Sequence, residues 1–158
     1  GEWVFGCDIC QEVCPFNIVP LKKRLGPQVP ELGREAGVGP TVSLERVLRM
    51  RSDEEYRAAF QGTAVMRAKR EGLARNAAVV AANTHAEALL PLLDEVARRD
   101  PSPLVRQHAV WAISVMASRM GAGAVSMAKK LLDGAAHDDA DGVREEVRTL
   151  RTQLRNFA

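Results

Sequence analysis

The chain has 158 residues, of which 46% are hydrophobic and 27% charged, with a formal net charge of +2. That length suits one compact domain with a short appendage, and so small a charge excludes any nucleic-acid argument based on net charge alone. Aromatic residues make up only 4% while Ala, Leu, Val and Arg abound, which favours helices packed through small and aliphatic side chains over a β-sandwich or barrel.

No run approaches the roughly 18 apolar residues of a membrane span, and no basic-then-apolar leader opens the chain. The first residue is Gly1 rather than Met, and Trp3, Val4, Phe5 and Gly6 lead at once into a cysteine motif. This opening predicts a C-terminal piece of a longer protein. The three cysteines all fall within residues 7–14, an odd and clustered set that argues against a disulfide framework and for the reducing cytoplasm.

Residues 1–20 carry that motif, Cys7-Asp8-Ile9-Cys10-Gln11-Glu12-Val13-Cys14-Pro15, or C-x2-C-x3-C-P. Such spacing lets thiolates converge on a metal centre while the backbone wraps it. In two-cluster ferredoxins the cysteine that precedes the proline ligates the neighbouring cluster. Pro15 is expected to stop the first helical turn, and Ile9, Val13 and Phe16 to exclude water from the cluster. The competing reading is half of a structural zinc site, which needs two further Cys or His ligands. His85, His108 and His137 lie far along the chain on helical segments, and C-x3-C-P fits iron–sulfur wrapping better. Two all-cysteine [4Fe–4S] clusters need eight thiolates, so three cysteines make an incomplete set.

Residues 21–42 read as a Pro/Gly-rich linker, and residues 43–158 as almost wholly helical. Ser43 and the Ser52/Glu55 capping box mark two helix starts. The loop Asp100-Pro101-Ser102-Pro103 and the pair Asp141-Gly142 feed two more. Gly72, Gly121, Gly123 and Gly134 are expected near helix ends. Residues 73–82 align with 104–113 at an offset of 31, and a weaker copy starts at Gly142. Arg75, Arg106 and Arg144 occupy the same place in each, with Asp100 and Asp141 as expected partners for the last two. The fold class expected is therefore all-α: a HEAT-like α-solenoid preceded by a ferredoxin-type cysteine segment and an irregular linker.

Two segments carry a more specific resemblance. Residues 3–17, Trp-Val-Phe-Gly-Cys-Asp-Ile-Cys-Gln-Glu-Val-Cys-Pro-Phe-Asn, are similar to the second cluster motif of the epoxyqueuosine reductase family, and residues 60–83 resemble the opening of its C-terminal HEAT-like region. The resemblance implies a cobalamin-dependent oxidoreductase with two 4Fe-4S clusters that reduces epoxyqueuosine to queuosine in tRNA. It further implies that Cys7 and Cys10 ligate the cluster nearer the cobalamin, that Cys14 reaches the other, and that Asp8 contacts the corrin. The catalytic residues would lie upstream, so no catalytic residue is assigned in this chain, which alone is expected to be inactive. An electron donor and epoxyqueuosine-bearing tRNA are the implied partners, and a monomer is expected.

Arg67, Lys69, Arg70, Arg75 and Asn76 form the candidate tRNA contact. Arg67 and Arg70 would share one helix face, and a turn at Gly72 would bring Arg75 beside them. Composition alone equally allows a solvated helix face. Lys22-Lys23-Arg24 is left unassigned, and Trp111 reads as core. The alternative for the whole protein is a generic ferredoxin-type electron-transfer protein with a helical-repeat interaction domain.

Overall fold

The computed structural model describes residues 1–7, 9–18 and 38–155. Asp8, Lys22-Lys23-Arg24 and most of the expected linker lie outside the described residues. Two short turns come first, α1 (Ile9–Glu12) and α2 (residues 15–18). Ser43 then caps α3 (Leu44–Arg49), its hydroxyl accepting from the Arg46 N–H at 3.2 Å. The expected capping box starts α4 (Asp53–Phe60): the Ser52 hydroxyl accepts from Glu55 N–H, and the Glu55 carboxylate accepts from the N–H groups of Ser52 and Arg51.

A 3-10 turn over Ala64–Ala68 leads into α5 (Lys69–Asn83). The turn is fixed from below by the Tyr56 hydroxyl, which donates to the Val65 carbonyl at 2.5 Å. Next come α6 (Leu90–Arg99), α7 (Pro103–Met120), α8 (Ala122–Ala135) and α9 (Asp141–Arg155). Pro103 opens α7 where its missing N–H costs no helical bond. Gly121, at φ +93°, is the one residue between α7 and α8. Among the described residues there is no β-strand.

The helices form two layers. α3, α5, α7 and α9 lie side by side, and α6 and α8 pack against them. α7 touches α5, α6, α8 and α9, so it must be apolar on nearly every side. Its buried positions Val105, Ala109, Val110, Ala112, Ile113, Met116 and Ala117 meet that demand. Alanines at 74, 77, 78, 81 and 82 allow α5 to approach α7 closely, and Leu93, Val96, Leu132 and Val147 complete one continuous core.

A polar seam runs along the loops at one edge of this core. Arg70 donates two bonds to the Asp100 carboxylate, at 3.0 and 3.1 Å, and both side chains are buried. The Asp100 carbonyl accepts from Arg106, which in turn grips the Asp138 carboxylate at 2.7 and 2.8 Å. The Asp138 carbonyl then accepts from Arg144. Arg51 adds a third cation to Asp100, and Asp100 also accepts from the Ser102 N–H.

This seam corrects the expected repeat register. Arg70, not Arg75, is the counterpart of Arg106. Setting Arg70 on Arg106 also sets buried Leu73, Ala74, Ala77, Val80 and Ala81 on buried Ala109, Val110, Ile113, Met116 and Ala117. Setting Arg106 on Arg144 likewise sets Val105, Ala109 and Ala112 on Val143, Val147 and Leu150. The offset of 31 instead matches buried Leu73 to exposed Leu104. Arg106 pairs with Asp138 and Asp139 through its carboxylate partners, whereas Asp100 gives it only a carbonyl; Arg144 does pair with Asp141. Gly72 is also displaced from its expected place: it lies within α5, because the bend that starts the helix falls earlier, at Lys69.

Removing one member of a buried ion pair strands the other charge, a loss of about 3–5 kcal/mol. Asp100→Ala is therefore expected to lower stability by about that much in chemical denaturation. Asp94→Ala, which breaks the exposed Asp94–Arg98 pair, should cost no more than about 1 kcal/mol. Equal small losses at both sites would remove the seam from the account of stability.

The seam also gives a pH dependence. Burial opposes ionisation of Asp138, but the hydrogen bonds from Arg106 and from the Ala140 N–H outweigh it and hold the carboxyl below its ordinary value of 3.8. A depressed folded-state value stabilises the fold above the unfolded value and is lost as pH falls through the folded one. The acid limb of the stability–pH curve, below about pH 4, should therefore be shallower in Asp138→Asn than in the parent. Parallel limbs would count against this assignment.

Candidate functional site

The cysteine segment is built from short hydrogen-bonded turns. Cys10 sits in α1, whose Ile9 carbonyl accepts from Val13 N–H at 3.0 Å. Cys14 closes that turn and starts the next: its N–H donates to the Gln11 carbonyl, and its own carbonyl accepts from Asn17 and Ile18 at 2.9 and 3.1 Å. Pro15 is thus the first residue of α2. It opens a turn, where the sequence reading had it ending one, because the first helical position is where a missing N–H is harmless.

All three cysteines are free thiols; Cys7 and Cys10 are exposed and Cys14 is half-buried. Trp3, Ile9, Val13 and Phe16 around them are exposed, Phe16 to 88%. Among the described residues no three His, Cys, Asp or Glu side chains gather closely enough to hold a metal ion. The histidines are occupied elsewhere: His108 meets the Leu104 carbonyl one turn back in α7, His137, in the turn after α8, meets the Asp133 carbonyl, and His85 meets Arg119 at 2.8 Å. The donors are soft, close together along the sequence and flanked by apolar side chains, which is the chemistry of part of an iron–sulfur ligand shell, although the three thiols are not gathered at one point.

The basic segment does not form the single helix face that its spacing suggests. Arg67 lies on the 3-10 turn, and Lys69, the first residue of α5, has φ +58° and so breaks the backbone between the two. Arg67 and Lys69 are exposed, whereas Arg70 turns inward to Asp100. Arg75 is half-buried, and its Nε is buried without a hydrogen-bond partner. Asn76 is half-buried and donates to the Val4 carbonyl at 2.7 Å. Arg70 would have to leave a buried ion pair to reach a phosphate.

Two cavities flank these residues. One of about 760 Å³ is walled by Arg51, Tyr56, Arg57, Lys69, Arg70 and Ser102. Arg57, in the last turn of α4, lines this cavity with Lys69 and was not singled out in the sequence. The other, about 350 Å³, lies between α5, α7 and α9 and is lined by Val79, His108 and Trp111. Trp111 is partly buried and packs against the core, as its sequence position predicts.

The exposure difference among the thiols is directly measurable. In the metal-free chain, Cys7 and Cys10 should be alkylated ahead of Cys14, read by mass spectrometry of the digested protein. Cys14 reacting first would overturn the placement of α2.

No protein-family model matches the chain. It is 37% identical over 122 residues to an epoxyqueuosine reductase of Pseudomonas aeruginosa, covering 72% of this chain and 30% of that protein. A second, from Bacillus subtilis, is 30% identical over 116 residues, covering 72% of this chain and 28% of the relative. A crystal structure of epoxyqueuosine reductase with an epoxyqueuosine-modified tRNA-Tyr stem loop superposes with a TM-score of 0.73 and 25% identity, covering 96% of this chain and 37% of that one. The chain thus spans about a third of the length of the proteins it matches. Within that span the sequence identity and the helical arrangement agree, and the chain belongs to the epoxyqueuosine reductase family.

Proposed function

We propose that this chain is the C-terminal part of an epoxyqueuosine reductase, a cytoplasmic monomeric oxidoreductase that converts epoxyqueuosine to queuosine in tRNA. In this reading residues 1–20 complete a ferredoxin-like domain, residues 21–42 link it onward, and residues 43–158 form a HEAT-like helical repeat domain. The observation that carries the proposal is the C-x2-C-x3-C-P run with free thiols, preceding the helical layers in a chain that belongs to this family. Stacked helix pairs joined by the Arg–Asp seam support the HEAT-like description.

Cys7 and Cys10 would hold one 4Fe-4S cluster and Cys14 would hold its neighbour, with the remaining thiolates supplied from upstream. Clusters of this kind supply one-electron transfer. The chain's own part is to set Cys10 and Cys14 on two adjoining turns with Cys7 just before them, to flank them with apolar side chains, and to present a helical platform to the substrate RNA. Cobalamin enters through the family resemblance, with Asp8 as the proposed contact in this chain, and an unidentified donor would provide electrons. For tRNA, the exposed Arg67 and Lys69 are the proposed phosphate contacts, with Arg70, Arg75 and Asn76 behind them.

Two measurements test this. The anaerobically purified full-length protein should contain iron and sulfide in cluster ratio and show charge-transfer absorbance; zinc without iron would refute the cluster assignment. Arg67→Ala/Lys69→Ala should weaken binding of a queuosine-pathway tRNA and reduce the salt slope by about two contacts. Arg70→Ala should instead act mainly on stability. Unchanged affinity and slope in the double variant would refute the assigned face.

A further inference from the structure

The segment that leads into Cys7 is held by side chains of α5. Leu73, Asn76, Val80 and Asn83 recur at intervals of three and four residues and so form one stripe along that helix. Leu73 and Val80 line a groove together with Trp3, Val4, Phe5 and Val42. The two asparagines complete it: Asn76 Nδ2 donates to the Val4 carbonyl at 2.7 Å, and Asn83 Nδ2 donates to the Gly1 carbonyl at 3.0 Å.

The spacings match. Seven residues of α-helix rise about 10.5 Å, and three residues of extended chain span about 10 Å. The segment therefore lies along α5 with its first and fourth carbonyls in register with the two amides. Val4 packs against the core while its carbonyl meets Asn76, so the apolar groove leaves no unpaired acceptor there. Asn is a poor helix former because its side chain competes for backbone groups, which makes two of them on one stripe of an Ala/Val-rich helix conspicuous. Both are spent on a different part of the chain.

Only Phe5 and Gly6 separate Val4 from Cys7, and Gly6, at φ +72°, makes the turn into the motif. Three peptide steps reach at most about 11 Å, so fixing the Val4 carbonyl confines Cys7 to that radius. We propose that Asn76, assisted by Asn83, is a positioning residue for the thiols: it clasps the backbone of residues 1–4 and sets where Cys7 stands against the helical layers. This gives Asn76 an internal role in place of an RNA contact. The part that concerns the thiols as cluster ligands rests on the functional reading above; the clasp itself does not.

The clasp is tested on the 158-residue chain by NMR, without metal. In the parent, a through-bond coupling should link Asn76 Nδ2 to the Val4 carbonyl carbon, and the order parameters of residues 3–6 should stand near the rigid value of about 0.85. In Asn76→Leu, which keeps the size and removes the donor, they should fall below about 0.6 while the far-UV spectrum is unchanged. Absence of the coupling with mobile residues 3–6 in the parent would overturn the clasp, and this holds even if the variant does not fold. Unchanged order in a folded Asn76→Leu would overturn it equally.

The positioning role is tested on the full-length iron-loaded protein, where Asn76→Leu should shift the midpoint potential at unchanged iron per chain. Solvent access and hydrogen bonds at the sulfurs set that potential. A loosened segment with an unchanged potential would overturn the positioning role. Failure of the parent itself to bind iron would sink the cluster reading, with the clasp still decided by the NMR result.

Discussion

The carboxylate of Asp100 is the constraint on which the helical part depends. It lies at the C-terminal end of α6, is almost wholly buried, and receives Arg70 from α5 and Arg51 from the loop before α4, while its carbonyl receives Arg106 from α7. A buried carboxylate is tolerated only where cations and N–H groups satisfy it. Four elements must therefore arrive at one point together. Asp138 repeats the arrangement one step along, with Arg106 on its carboxylate and Arg144 on its carbonyl. The apolar contacts between α5, α7 and α9 are non-directional, and small-residue faces slide easily; the seam supplies the directional bonds that fix their register.

Much of this was legible in the sequence, and the misses have physical reasons. Ser43, Ser52 with Glu55, and Pro103 started helices where expected, since caps act within one turn and need no tertiary context. The repeat was visible, but its register was read from the similarity of LARNAAVVAA to LVRQHAVWAI. In a helix so rich in Ala and Val, several offsets place apolar residues on apolar residues. Only the buried arginine–aspartate pairs separate them, and those pairs join residues some thirty positions apart.

The candidate RNA contacts show the same limit. The five candidate contacts between 67 and 76 look alike as a polar cluster. They part company only once Lys69 breaks the backbone and α5 begins, which sends Arg67 and Lys69 outward, Arg70 to Asp100 and Asn76 to Val4. A sequence pattern gives spacing along one helix and is blind to a left-handed residue placed between its members. The cysteine run was the reverse case. Its spacing is short enough that the first turn, α1, was legible from local geometry, whereas Pro15 opens a second turn in place of ending the first, and Ile9, Val13 and Phe16 stand exposed where a water-excluding shell was expected.

The contact between α5 and the leading segment has an asymmetry with an evolutionary reading. The helix contributes side-chain amides, while the segment contributes only main-chain carbonyls. Any residue carries a carbonyl, so positions 1 and 4 are free to change identity, within the space of the groove, without loosening the attachment. Positions 76 and 83 have no such freedom, because few side chains of that length donate without charge. Selection on where the first thiol stands would thus be recorded some seventy residues away from it, on the stripe of α5 that holds the leading segment.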